Sequence, residues 1–309
     1  MPKQHRRTPL LSVNEMITVK NPIVDGWYAD PEARKYGDKY YVYVTGSEKK
    51  NNLDAFSSSD LVHWEKHVGV IAMEEFPHVH KCVWAPTVID KNGKYYLIFA
   101  SNDIHSDSEL GGLEIAAADR PEGPFHAVIE GSLVGEFHNG AQPIDAYLFK
   151  DDDGTVYLYY GGWRHCNVCR MNDDMTGLVP LDDGEYFREI TPDDYVEAPC
   201  MIRDHGKYYF MWSSGSWTNG TYHVNYAVSD SPTGGFSGAI PVLEEQLPLA
   251  NGPGHHGFLY LPEKDQYLIV YHRRIPGDNI PHHRVLCIDR MNLHDGVIDP
   301  VVMTESFEL

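Results

Sequence analysis

One short phrase recurs along the chain, a glycine turn followed by an aromatic-rich apolar run. It reads Gly37-Asp38-Lys39-Tyr40-Tyr41, Asn92-Gly93-Lys94-Tyr95-Tyr96, Asp153-Gly154-Thr155-Val156-Tyr157, His205-Gly206-Lys207-Tyr208-Tyr209 and, more weakly, Lys264-Asp265-Gln266-Tyr267. Tyr40, Tyr95, Val156, Tyr208 and Tyr267 mark one register and stand 55, 61, 52 and 59 residues apart. Periods of this size belong to radial or linear repeats, in which each unit buries its apolar face against its neighbours.

Each unit holds two apolar runs split by a turn. Pro86-Thr87-Val88-Ile89 and Tyr95-Tyr96-Leu97-Ile98-Phe99 flank the turn Asp90-Lys91-Asn92-Gly93. Ala146-Tyr147-Leu148-Phe149 and Val156-Tyr157-Leu158-Tyr159-Tyr160 flank Asp151-Asp152-Asp153-Gly154. Aromatic and β-branched runs divided by Asp/Asn-Gly are hairpins. A further strand-like run follows, Glu114–Ala118 in the second unit and Val224–Val228 in the fourth, each closed by a Pro/Gly turn. With three or four strands per unit and almost no helical period, the pattern predicts an all-β, five-bladed β-propeller. It forms a single domain, residues 21–309, after an N-terminal arm, residues 1–20. A β-sandwich also spaces its strands regularly, but it has no need of one phrase five times.

A net charge of −20 repels phosphate backbones and anionic membranes, which argues against nucleic acid and lipid partners. No apolar run reaches the ~18 residues of a membrane span. The basic arm, with Lys3, Arg6 and Arg7, lacks the ~7–15-residue apolar core of a secretory signal. These features lead to the expectation of a soluble, cytoplasmic protein. Five cysteines form an odd set that suits a reducing compartment. Cys166-Asn167-Val168-Cys169 has the spacing of a metal or redox motif, but no second Cys/His pair follows, and it reads as two free thiols.

Counting back ten or eleven residues from each register mark gives Asp30, Trp84, Asp145, Glu197 and His256, with His255 one step earlier. Equivalent positions on successive blades are related by rotation about one axis, so these residues are expected to line one central pit. Taken singly, Asp30 before Pro31 and Asp145 before a strand are ordinary turn formers, and Trp84 is ordinary core. Glu197, between Val196 and Ala198-Pro199, has no evident turn role, and the shared phase favours a site. Three crowded carboxylates repel one another, which raises at least one pKa and keeps a proton in place near neutral pH. Glycosidic hydrolysis asks for that division: one protonated acid at the leaving oxygen and one carboxylate to activate water. The tryptophan offers a flat apolar wall for a sugar face.

At these residues the sequence resembles glycoside hydrolase family 43, five-bladed propellers that include α-L-arabinofuranosidases, β-xylosidases and arabinanases. The matching motifs are Asn21-Pro22-Ile23-Val24-Asp25-Gly26-Trp27-Tyr28-Ala29-Asp30-Pro31, Trp84-Ala85-Pro86, Ile144-Asp145-Ala146, Val196-Glu197-Ala198-Pro199 and Gly252-Pro253-Gly254-His255. The resemblance implies Asp30 as general base, Glu197 as general acid and Asp145 as the carboxylate that orients Glu197 and sets its pKa. It also implies inversion at the anomeric carbon, which needs acid and base roughly 6.5–9.5 Å apart. His255 corresponds to a family histidine near the axis, often beside a calcium ion (Ca2+) ligated largely by water, and the motif favours it over His256. Arg284 resembles an arginine of the last blade that reaches the sugar, a role for which Arg273 and Arg274 compete. Ile-Asp-Ala and Glu-Ala-Pro stand where the family commonly has Ile-Asp-Pro and Glu-Gly-Pro, departures that spare the carboxylates and bear on substrate.

The expected activity is exo-acting release of terminal arabinose from arabinoxylan or arabinan oligosaccharides, with β-D-xylosidase activity as the alternative. An endo-arabinanase ranks lower. A sugar-binding propeller without catalysis has no use for three mutually repelling acids. Fructan hydrolases share the propeller, but a Trp-Met-Asn-Asp-Pro-type start is expected of them, and Trp27-Tyr28-Ala29-Asp30-Pro31 lacks the asparagine.

Overall fold

The computed structural model describes residues 17–309, so the cluster Lys3, Arg6 and Arg7 lies outside the described residues. Five antiparallel sheets follow one another along the chain and form a five-bladed β-propeller, a single domain with no α-helix among the described residues. Blade 1 comprises Ala29–Tyr36, Lys39–Thr45, Leu53–Ser58 and Glu65–His67; blade 2 comprises Trp84–Lys91, Lys94–Ser101, Gly112–Ala118 and His126–Ala127. Blade 3 comprises Tyr147–Lys150, Val156–Tyr160 and Asn167–Met171, the last pairing with both Leu178–Val179 and Arg188–Glu189. Blade 4 comprises Glu197–Asp204, Lys207–Ser214, His223–Ser229 and Ile240–Leu243; blade 5 comprises Asn251–Leu261, Gln266–Arg274 and Arg284–Met291. Thr18–Lys20 pairs with Ser306–Glu308, so the last three residues of the expected arm belong to a sheet that ties the two ends of the chain together.

The repeated phrase is the hairpin between the first two strands of each blade. Lys91 pairs with Lys94 across the two-residue loop Asn92-Gly93, both left-handed (φ 53° and 78°), as a type I′ turn requires. His205-Gly206 repeats it (φ 46° and 78°). The strands therefore run further into the turn than the sequence suggests, to Lys91 rather than Ile89 in blade 2. Blades 3 and 5 have longer loops, with Lys150 facing Val156 and Leu261 facing Gln266. Second strands such as Tyr95-Tyr96-Leu97-Ile98-Phe99 are covered on both faces, which accounts for continuous rather than alternating apolar runs. Four apolar clusters fill the gaps between blades: Val42 and Val44 meet Leu268 and Ile288 between blades 1 and 5, and Tyr159, Phe210 and Tyr271 lie in a cluster spanning blades 3 to 5. All five cysteines are free thiols, Cys166 and Cys169 buried in blade 3.

Candidate active site

Each blade carries a left-handed residue in its inner strand or, in blade 3, two residues before it: Asp30 (φ 50°), Ala85 (46°), Asp145 (54°), Ala198 (60°) and His255 (34°). In blades 1, 2, 4 and 5 the pairing register shifts around it, the mark of a β-bulge, which re-aims side chains out of the pleat. The partners of the five register marks are Lys35, Asp90, Lys150, Arg203 and Tyr260. Each left-handed residue precedes that partner by the same five positions, so the blades share one phase, and the scatter in the sequence count comes from the longer hairpins of blades 3 and 5 and from Trp84 and Glu197 lying one residue earlier. The side chains that line the pit come from one of two adjacent positions, the left-handed residue (Asp30, Asp145, His255) or the one before it (Trp84, Glu197).

All five meet in one pit of about 440 Å³, together with Arg284, Thr45, Asp103, Gln142, Ile144, Trp163, Trp217 and His282. His255, not His256, lines it, so the count that favours His256 is corrected by the longer hairpin of blade 5. His256 is buried outside the pit, both ring nitrogens without a hydrogen-bond partner among the described residues, its pKa pushed down to about 3 by burial and by the neighbouring His255. Of the three candidate arginines only Arg284 reaches the pit. Arg273 donates to the Thr304 carbonyl and Arg274 to the Asp278 carbonyl.

The carboxylates are held in different states. Burial disfavours charge on Asp30, but Arg284, whose Nη1 lies 3.2 Å from its Oδ1, with His255, His272 and the Thr45 hydroxyl, outweighs this and holds its pKa well below the usual carboxylate range. Burial drives both imidazoles toward the neutral form, so Arg284 is the cation that acts at neutral pH. Burial raises Glu197 to about 7; the Tyr222 hydroxyl, which donates to its Oε1 at 2.8 Å, opposes the shift, and the charge of Asp30 adds to it. Asp145 is also raised, by burial, then by Glu197 and Asp30. Burial thus favours the protonated forms of Asp145 and Glu197, while Asp30 is held ionised.

Two further residues, missed in the sequence, hold the acids in place. His272 accepts the Asp30 backbone N–H on Nδ1 at 3.1 Å, a donor that the bulge leaves without a ladder partner. Its ring stacks on Tyr222 (centroids 5.8 Å apart, planes 5° apart), so one stack supports Asp30 and Glu197 together. The trace in the sequence is slight: His272 ends an apolar run at Leu268-Ile269-Val270-Tyr271, and Tyr222 has no distinguishing pattern.

Around His255 the protein side chains alone do not supply a full calcium coordination sphere, so an ion there would take its remaining ligands from water, as the resemblance implies. Its Nδ1 faces the carboxylates of Asp30 and Asp145 at 3.4 and 3.6 Å, and among the described residues no three His, Cys, Asp or Glu side chains converge as metal ligands. Calcium favours roughly six to eight oxygens, and none of the chemistry below passes through a metal.

Comparison with known proteins agrees with this geometry. The chain is 38% identical to a β-D-galactofuranosidase of Aspergillus niger, covering 92% of this chain and 85% of that protein. It is 27% identical to a β-xylosidase of Xylanibacter ruminicola, over 82% and 89%. An α-L-arabinofuranosidase from Clostridium thermocellum superposes with a TM-score of 0.73 at 27% identity, over 90% of this chain and 94% of that one. The sequence profile of glycosyl hydrolases family 43 matches residues 19–298, and the chain belongs to that family.

Proposed function

We propose that the protein is an inverting, exo-acting α-L-arabinofuranosidase that releases terminal arabinose from arabinoxylan or arabinan oligosaccharides. The observation that carries the reading is the convergence of three carboxyl groups in one pit in unlike surroundings: Asp30 against Arg284, which favours its charge, and Asp145 and Glu197 where burial disfavours theirs. Glu197 gives its proton to the glycosidic oxygen as the bond to the anomeric carbon breaks. Asp30 takes a proton from the water that attacks the opposite face, and the configuration inverts. Proton exchange with solvent then resets both groups. Asp145 acts through Glu197 by orienting its carboxyl group, and Arg284 keeps Asp30 ionised. Below the pit the Arg34 guanidinium donates to the carbonyls of Val88 and Leu148 and closes its floor.

A second reading, a β-D-galactofuranosidase, is favoured by the Aspergillus relative. β-D-Galactofuranose has the ring configuration of α-L-arabinofuranose and differs by an exocyclic diol, for which Asp103 and Gln142 offer polar partners in the pit. The β-xylosidase alternative rests on the Xylanibacter relative.

Nitrophenyl α-L-arabinofuranoside, β-D-galactofuranoside and β-D-xylopyranoside, assayed side by side, test this. The arabinofuranoside is expected to be fastest, a different order moves the substrate to the sugar that leads, and no turnover of any ends the hydrolase reading. Glu197→Gln is expected to lose most activity on a poor leaving group and recover on a dinitrophenyl glycoside, which needs little protonation. A fully active variant would exclude Glu197 as the acid.

A further inference from the structure

Trp163 lines the pit with 49% of its surface exposed. Its backbone and that of Arg164 are left-handed, at φ 56° and 69°. That conformation is unfavourable for a bulky aromatic and persists only where the surroundings enforce it. The Gly161 and Gly162 N–H groups donate to the carbonyls of Ile144 and Gln142, each at 3.0 Å, and Arg164 N–H donates to Val196 O at 3.2 Å. The Tyr195 hydroxyl donates to Gly161 O at 2.7 Å. The turn is therefore pinned to the residues before Asp145 and before Glu197. Phe137 and His105 pack beside the indole, with ring centroids 5.0 and 5.5 Å away.

Of the other two tryptophans in the pit wall, Trp84 opens the inner strand of blade 2, and Trp217 is already covered. The Arg284 guanidinium lies over its ring at 5.2 Å and reaches on to Asp30. One wall thus belongs to the base and the other to the acid. An acid protonates the oxygen of the departing sugar, so that sugar lies on the flank of Glu197, where Trp163 is the open aromatic surface.

We propose that Trp163 is the platform on which the first sugar of the leaving group stacks, and that this sugar is a β-D-xylopyranosyl unit of a xylo-oligosaccharide. The proposal rests on the reading of Glu197 as the acid. Every hydroxyl of β-xylopyranose is equatorial, which leaves both ring faces lined by C–H groups and suited to an indole.

The test compares wild type, Trp163→Ala and Trp163→Phe on arabinofuranosyl-substituted xylotriose and on methyl α-L-arabinofuranoside, whose aglycone cannot stack. The ratio of kcat/KM, oligosaccharide over methyl glycoside, is expected to fall on the order of tenfold in Trp163→Ala, through KM, and to recover in part in Trp163→Phe. A merely structural role lowers both substrates together, and an unmoved ratio overturns the proposal. Xylotriose alone, titrated by intrinsic fluorescence, reads the platform without turnover. Wild type is expected to bind it on the order of tenfold more tightly than Trp163→Ala, and equal binding, or none by wild type, overturns the proposal. Failure of wild type to hydrolyse any nitrophenyl glycoside would instead remove the functional reading, while the titration still decides the platform.

Discussion

Arg284 and Tyr222 divide the work of setting proton occupancy among the three acids. Arg284 stabilises the anion of Asp30, whereas burial destabilises the anions of Glu197 and Asp145. The pH dependence follows from the signs. Glu197 must be protonated to act, so kcat/KM is present below about 7 and lost as pH rises through it. Asp30 must be ionised, and its depressed pKa moves the acid limb below the usual carboxylate range. A profile that stays flat through pH 8 would contradict the assignment of Glu197. Tyr222→Phe removes a hydrogen bond that favours the Glu197 anion, so the alkaline limb should move upward by about one pH unit. If Tyr222 serves only packing, the limb stays where it is.

At the scale of the strand, the bulge is what turns a blade into part of a site. It places a left-handed residue or its predecessor at the axis and leaves backbone donors such as Asp30 N–H to be met from another blade. The geometry leaves little room. A Cβ on Gly257 of blade 5 would stand 2.8 Å from Ala33 N and 3.3 Å from Pro31 O, backbone atoms of the inner strand that carries Asp30. Gly257→Ala is expected to cost about 1–3 kcal/mol through overpacking, and to lower kcat by shifting Asp30. Thermal unfolding and steady-state kinetics check this, and an unchanged Tm would show that the two strands can separate without penalty. The hairpins were legible in the sequence because Asn-Gly and Asp-Gly turns are local. The bulges were not, since a left-handed alanine at 85 or 198 leaves no trace in residue type.

For the whole molecule, the axis is the common problem, because five inner strands converge on a space that must be filled. Below the pit it is filled by Arg34, which pairs with Glu32 at 2.5 Å and donates to Val88 O at 2.9 Å and Leu148 O at 2.8 Å, tying three blades together. Glu32 is 3% exposed, and burial raises its pKa to about 7 although the short contact with Arg34 favours its charge. Arg34→Met leaves that carboxylate buried without its partner and is expected to cost about 3–5 kcal/mol. In urea the midpoint should drop with the slope unchanged. A shift of less than about 1 kcal/mol would mean that the pair is replaceable by packing alone.

The sequence alone determined the five units, their hairpins, the single domain and, to within one residue, the five side chains at the axis. Those are properties of local turn chemistry and of a period, and both are written along the chain. Tertiary structure decided His255 over His256 and Arg284 over Arg273 and Arg274, and it brought in His272, Tyr222 and Trp163. Each of these choices depends on which strand ends face each other across the axis after bulges and hairpin lengths have shifted the register. The division of charge among Asp30, Asp145 and Glu197 belongs to the same level, because burial and the reach of one guanidinium exist only once the ring has closed.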